Sequence, residues 1–252
     1  MTGHRFAGRA LLLTAAAVAT IALPSQAQRA GDGFLFHAPA GSWTFRGGVA
    51  TATGNSDVFG FVTDQLTVDR SDFSSPTFGT ALAISVSERN DVVLDISYAT
   101  VNRASEFRDW VDNNDQPIQQ ETSLRRIPIT LGFRHYITSR GRSIGQFAWI
   151  PARRALYATV GAGMMEYKFH QVGDFIDFTT LNVFHDEFVS QAWTPVVHAA
   201  LGLDLGLGSF TMVTTEARYS LARGPMSADF VGFHNIDLSG LSVTAGLTFR
   251  LY

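Results

Sequence analysis

The chain has 252 residues, no cysteine, 46% hydrophobic residues and a formal net charge of −3 at pH 7. Near-neutrality without a basic run argues against a nucleic-acid-binding protein. The missing cysteines exclude disulfides, a lipid-anchored N-terminal cysteine and thiol-based catalysis or metal binding. Lysine is confined to Lys168 and the other cations are arginines, whereas a soluble β protein usually guards its surface with Lys and Glu.

Met1–Ala27 has the build of a cleaved export leader. His4, Arg5 and Arg9 form a basic start, Ala10–Leu23 is apolar or small, and Ser25-Gln26-Ala27 ends in the small residues a signal peptidase needs. The apolar run is well short of the roughly twenty residues of a membrane-spanning helix. Residues 28–41 are expected to be a short periplasmic segment and 42–252 a single barrel domain. No second apolar stretch is long enough to span as a helix, so any crossing is by strands.

From Ser42 onward the recurrent signal is alternation at period two, the mark of a strand with one face in an apolar medium. Eight such strands are expected: Ser42–Ala52, Thr77–Ser87, Val92–Val101, Leu124–Ile137, Ala155–Phe169, Ala192–Leu205, Phe210–Leu221 and Ile236–Tyr252. In the last, Leu241, Val243, Ala245, Leu247, Phe249 and Leu251 share a face opposite Ser242, Thr244, Gly246, Thr248 and Arg250. The joins after strands two and six are tight, and those after one, three, five and seven are long. This is the asymmetry of an antiparallel transmembrane barrel with external loops and mostly short periplasmic turns. The join Thr138–Arg154 breaks the rule, being long and carrying Arg140, Arg142, Arg153 and Arg154 around Ile144, Phe147 and Trp149. Ser56-Asp57 before Phe59, Val62 and Leu66 predicts a capped amphipathic turn, and Glu106–Val111 a second one.

The chain resembles the eight-stranded outer-membrane barrels of the OmpW and OmpA-like superfamily. The likeness rests on Gly246-Leu-Thr-Phe-Arg-Leu-Tyr252, the Ile-Thr-Leu-Gly-Phe-Arg-His-Tyr run ending at Tyr136, Val160-Gly-Ala-Gly163 and Glu216-Ala-Arg-Tyr219. It covers nearly all of the chain after the leader and specifies architecture more than activity. Tyr252 departs from the usual terminal insertion signal, lying one residue out of phase with Phe249 and Leu251. The expectation is a monomer without cofactor in the outer membrane, either structural or associated with the binding or passage of small molecules. Its partners would be membrane lipids and lipopolysaccharide, the barrel assembly machinery and a small hydrophobic ligand admitted laterally.

Two residue sets are candidates for function. The first is the inward-facing charges Arg46, Asp95, Arg134, His198, Asp204, Glu216, Arg218 and Arg250. An eight-stranded barrel is just wide enough for its own side chains, so these charges are expected to pair and close the lumen. Counting from the strand ends pairs Asp95 with Arg134. The second set is the loop aromatics Trp110, Phe175, Phe178, Phe184, Phe188, Phe230 and Phe233, which would either pack a cap or form a hydrophobic-ligand entrance.

The rival classes are a lipid-modifying outer-membrane enzyme and a soluble lipocalin-like barrel with its faces inverted. His135 and Ser139 lie four apart across a strand end, a spacing that supplies no nucleophile–base pair by itself. His170 and His185 flank Asp174, Asp177, Asp186 and Glu187 without a recognised metal-ligand spacing, so no metal site is expected.

Overall fold

A computed structural model describes residues 35–112, 114–145 and 148–252. The expected leader Met1–Ala27 and the start of the following segment lie outside the described residues. The strands are β1 (Gly41–Ala50), β2 (Ser75–Ser85), β3 (Asn90–Val111), β4 (Pro117–Tyr136), β5 (Gly141–Ile144), β6 (Ala148–Pro151), β7 (Arg154–Ile176), β8 (Val183–Gly206), β9 (Thr211–Gly224), β10 (Ile236–Asp237) and β11 (Gly240–Leu251). Apart from the hairpin β5–β6 and the short β10, each strand pairs antiparallel with its neighbours around a ring. β1 meets β11 from Gly41↔Leu251 to Ala50↔Ser242, and β8 meets β9, so eight strands leave no free edge at mid-height.

Side-chain parity follows the alternation in the sequence. Trp43, Phe45, Phe78, Leu82, Leu94, Ile96, Leu131, Phe133, Val160, Val197, Leu201, Val243 and Leu247 all face outward and are exposed. Their ring neighbours Thr44, Ala81, Asp95, Thr130, Thr159, Glu216 and Thr244 are buried inside. An apolar girdle around a polar interior is the transmembrane arrangement, and the lipocalin-like inversion is overturned.

β3, β4, β7 and β8 have 22, 20, 23 and 24 residues, about twice the 9–11 that cross a bilayer. The excess rises on the external side as a curved four-stranded wall, and its two edges are covered by loops. Leu66 bridges to Phe107, Thr67 exchanges backbone and side-chain bonds with Glu106, and Arg103 donates to the Asp72 carbonyl. On the other edge Ser227 donates to the Val189 carbonyl and the Val189 N–H donates to Asp229. Unpaired strand edges invite foreign strands, and these loops occupy them.

Several expected boundaries are therefore too short. Strand three continues to Val111, so the helical turn expected at Glu106–Val111 is strand, with Ser105 and Phe107 buried on the inward face. The ladder of strands five and six runs on to Ile176↔Val183. Above the bilayer the outer face meets water, so the apolar-out signal that marks the strands disappears while the ladder persists. The other expected turn is the helix α1 (Asp57–Gln65), which buries Val58, Phe59 and Val62.

The long join after β4 folds into the β5–β6 hairpin. It swings Trp149 under the barrel, where its backbone pairs with Leu35 and Arg140 binds Asp91 at 2.8 Å. Arg142, Arg153 and Arg154 remain exposed.

Leu131→Arg or Val243→Arg should each cost roughly 2–4 kcal/mol near the midplane, measured by reversible unfolding in lipid vesicles. Thr244→Arg should fail differently, by crowding the buried Arg46 and Arg218. Outward arginine variants that unfold like the wild type would invalidate the face assignment.

Candidate functional site

All eight charges expected in the lumen are buried there, but their partners differ from the simple count. Asp95 is held by Arg46 at 2.5 Å and by both terminal nitrogens of Arg218 at 2.8 and 2.9 Å. Arg218 also reaches Glu216 at 2.9 Å, and Arg46 lies 3.8 Å from Glu216. Two arginines and two carboxylates thus form a neutral square across the barrel at mid-height. Charge-assisted pairing of this kind lets ions exist out of water.

Arg134 does not pair with Asp95. β3 and β4 run in the register Asn90↔His135, so Asp95 lies opposite Thr130 and Arg134 opposite Asp91. This sets Arg134 about 13 Å nearer the periplasm, at ~3.3 Å per residue. Strand ends in a barrel are staggered, so distance from a turn does not give height. The Arg134 guanidinium instead lies 4.2 Å from the Tyr157 ring centre, within cation–π range. Beside it Asp204 accepts from Tyr136 at 3.1 Å and Thr214 at 2.7 Å, and hydroxyl contacts run on through Thr248 to Thr44. Arg250 donates to the carbonyls of Gly208 and Ser209 at the lower rim.

Two glycines make room for this packing. A Cβ on Gly202 would stand 2.1 Å from the Tyr157 ring, whose hydroxyl donates to Glu216 at 3.0 Å, and one on Gly161 would stand 2.5 Å from the His198 ring. Tyr157 and Gly161 share the parity of Thr159, and Gly202 that of His198, but the sequence reading missed Tyr157 and Tyr136 as partners in the charge network. It also missed Arg126, which shares the parity of Thr130 and Arg134 and is buried.

Above the square the interior turns apolar. Val58, Phe59, Val62 and Leu66 from α1 and its exit pack with Phe73, Phe107, Ile118, Leu124, Phe169, Phe230, Ile236 and Leu238. Among the loop aromatics, only Phe230 is fully buried in this cap. Phe188 and Phe233 are partly buried against it. Trp110 and Phe178 lie at the exposed top with Phe61. Phe178 contacts Trp110 at 6.3 Å and Phe61 at 6.4 Å, and Phe61 contacts Phe233 at 5.6 Å. From Phe233 the rings continue through Phe230 and Phe169 to Phe59 and Phe73, at centroid spacings of 6.4, 5.5, 5.9 and 5.0 Å. A side branch runs Phe230–Phe188–Phe175–Phe184. Trp110, Phe175, Phe184 and Phe188 thus stand on the extended strands β3, β7 and β8 rather than in loops, and with the rings of the other three external connections they form one contact path from open surface to buried core.

Between cap and square lies a cavity of about 50 Å³, bordered by Arg126, Pro128, Thr130, Met165, His198 and Leu238 among others. The β3–β4 ladder is interrupted there, between Ile96↔Ile129 and Ala99↔Arg126, opposite Pro128, which has no N–H to donate.

The catalytic and metal candidates are dispersed. His135 is bonded to Asn90 at 2.8 Å, and the Ser139 hydroxyl donates to the Gly141 carbonyl. His170 faces Glu187 and His185 faces Asp174, each at 2.9 Å in separate pairs. Among the described residues no group of three or more metal-ligating side chains converges.

No protein-family model matches the chain, and no curated protein does. Among solved structures it is similar to the outer-membrane protein OprG of Pseudomonas aeruginosa, at 13% identity over 86% of this chain and 99% of that one, with a TM-score of 0.49. It is also similar to the attachment invasion locus protein Ail of Yersinia pestis, at 13% identity over 83% and 99% with a TM-score of 0.38. A third is the N-terminal β-barrel domain of Pseudomonas aeruginosa OprF, at 12% identity over 85% and 100% with a TM-score of 0.35.

Removing Asp95 alone leaves two buried guanidinium groups to share the single carboxylate of Glu216, and Asp95→Ala should cost about 3–5 kcal/mol. Asp95→Ala with Arg218→Ala leaves Arg46 beside Glu216 and should be much milder than the sum of the single losses, as a double-mutant cycle in micelles would measure. Additive losses would dismiss the square. A second expectation concerns the cap. The His234 backbone N–H donates to Asp57 at 2.9 Å and holds its carboxyl below the ordinary aspartate range. That tether is complete above the ordinary carboxylate pKa and is released only as pH falls through the lowered value. The Asp57 carboxyl carbon resonance should therefore titrate below the ordinary aspartate range, and a midpoint at or above it would dismiss the tether. On its own geometry the chain is an eight-stranded β-barrel of the outer-membrane type, its lumen filled by a neutral ion square beneath an aromatic cap.

Proposed function

We propose that the protein captures small hydrophobic molecules at its external aromatic crown and releases them sideways into the bilayer, without catalysis. The observation that carries this reading is the unbroken path of ring contacts from exposed Trp110 and Phe178 to buried Phe59. Phe61, Trp110 and Phe178, exposed on the first connection, the end of β3 and the β7–β8 connection, cost solvation unless something covers them. The ion square below makes the lumen a poor route for an apolar molecule, since passage would strand paired charges. The β3–β4 ladder is open at Pro128, at the depth where cap and cavity meet. A lipid-modifying activity draws no comparable support, because His135 and Ser139 are engaged by different partners.

The test uses the refolded barrel and the fluorescent apolar probe N-phenyl-1-naphthylamine. Trp110→Ser with Phe178→Ser should weaken probe binding by about tenfold, equivalent to ~1.4 kcal/mol, while the folded band and its mobility shift on boiling persist. Unchanged probe affinity would sink the crown. Since the chain has no cysteine of its own, Ser97→Cys with Pro128→Cys offers a clean lock for the seam. Oxidation should slow probe transfer into vesicle membranes without weakening capture, and equal transfer rates in the oxidised and reduced forms would rule out lateral release.

A further inference from the structure

The cavity beneath the cap contains a charge the rest of the lumen does not balance. Arg126 is 6% exposed. Its one hydrogen bond is to the Leu238 carbonyl through Nη1 at 3.4 Å, and its Nη2 is buried without a partner. Among the described residues no carboxylate lies within ion-pair distance of it. Glu216 borders the same cavity, but its carboxylate is shared by Arg218 and Arg46. The square is therefore neutral and leaves Arg126 an excess cation. Arginine stays protonated in proteins, so loss of a proton offers no escape.

Two more groups point the same way. Both ring nitrogens of His198 and the hydroxyl of Thr130 are buried, border the cavity and have no hydrogen-bond partner. A guanidinium, an imidazole and a hydroxyl around one small space form a donor set. Water in the cavity would satisfy hydrogen bonds but not the charge.

We propose that this cavity binds one small monovalent anion, a halide or a one- or two-carbon carboxylate, held by Arg126 with His198 and Thr130. The size agrees. A cavity of about 50 Å³ holds roughly three to five water-sized bodies at ~10–15 Å³ each, enough for bromide with a water or for formate or acetate. The site is independent of the proposed handling of hydrophobic molecules: Trp110→Ser with Phe178→Ser should leave anion binding intact even if crown capture fails.

The experiment follows thermal unfolding of the full barrel in micelles, using the mobility difference between folded and unfolded bands. Sodium bromide, sodium formate and sodium sulfate are compared at matched ionic strength. Bromide or formate at a hundredfold excess over its Kd should raise the midpoint by about 5 °C or more beyond any rise in Arg126→Gln, whereas sulfate, which stabilises folded states generally by exclusion from their surface, should raise both proteins alike. The order of bromide and formate midpoints distinguishes halide from carboxylate as the better occupant. Arg126→Gln should abolish the anion-specific rise. Should Arg126→Gln not fold, Thr130→Val is expected to fold and to weaken the anion response severalfold. Crystals of the wild type grown in bromide should show anomalous density beside Arg126. A sulfate rise that is lost in Arg126→Gln, a full bromide and formate response in Arg126→Gln or Thr130→Val, or only water beside Arg126 in crystals grown in bromide and in formate would each overturn the proposal.

Discussion

Hydrocarbon offers no hydrogen bonds to a backbone, so a strand-built span must pair every N–H and C=O with a neighbouring strand and return to its starting point. Here that closure comes from β1 on β11 and β8 on β9, and eight strands set the bore. At that diameter the interior is a packing problem: whatever faces inward must fill it and satisfy its own polar groups. The large inward groups, Tyr157 and His198, fit because Gly202 and Gly161 face them across the ladder. The charges fit because two arginines and two carboxylates neutralise one another across the bore.

The four long strands pass through two media, and their interior changes character with height. Within the girdle the outside is apolar and the inside is polar and ionic. Above it the outside is water and the inside is the aliphatic and aromatic cap of α1, Phe73, Phe169 and Phe230. The same chain direction and ladder serve both halves with the polarity of the faces exchanged. The extended wall has open edges that the closed girdle lacks, and 66–73 and 227–229 cover them with backbone and side-chain bonds.

That exchange explains what was legible in the sequence. Within the girdle, parity read from Leu241–Leu251 or Ile127–Phe133 places every named charge on its correct side. The pattern fails where its physical cause ends. Glu106–Val111 and His170–Ile176 lose their apolar-out rhythm on leaving the bilayer and look like loop or helix, though the ladder continues. Pairing inside the lumen was illegible for a different reason. Which charges meet depends on stagger between strands, and one misjudged offset gave Asp95 to Arg134 instead of to Arg46 and Arg218. Arg126 was open to inference from parity with Thr130.

The lumen is not electrically symmetrical. Arg46, Arg126, Arg134, Arg218 and Arg250 face Asp95, Asp204 and Glu216, with Arg140 and Asp91 cancelling each other below. Arginine suits such a place better than lysine: its charge is spread over a plane, is less strongly hydrated, and can be shared among carbonyls and ring faces. Arg250 on the carbonyls of Gly208 and Ser209, and Arg134 on the Tyr157 ring, use that capacity. Both lie low in the barrel, near the periplasmic water. Arg126 sits where the polar and apolar halves of the interior meet, with one long bond to Leu238. Filling the bore with neutral residues would have closed it with less desolvation. The cationic surplus therefore concentrates the lumen's unmet demand for negative charge at one height, beneath the cap and beside the interruption of the β3–β4 ladder at Pro128.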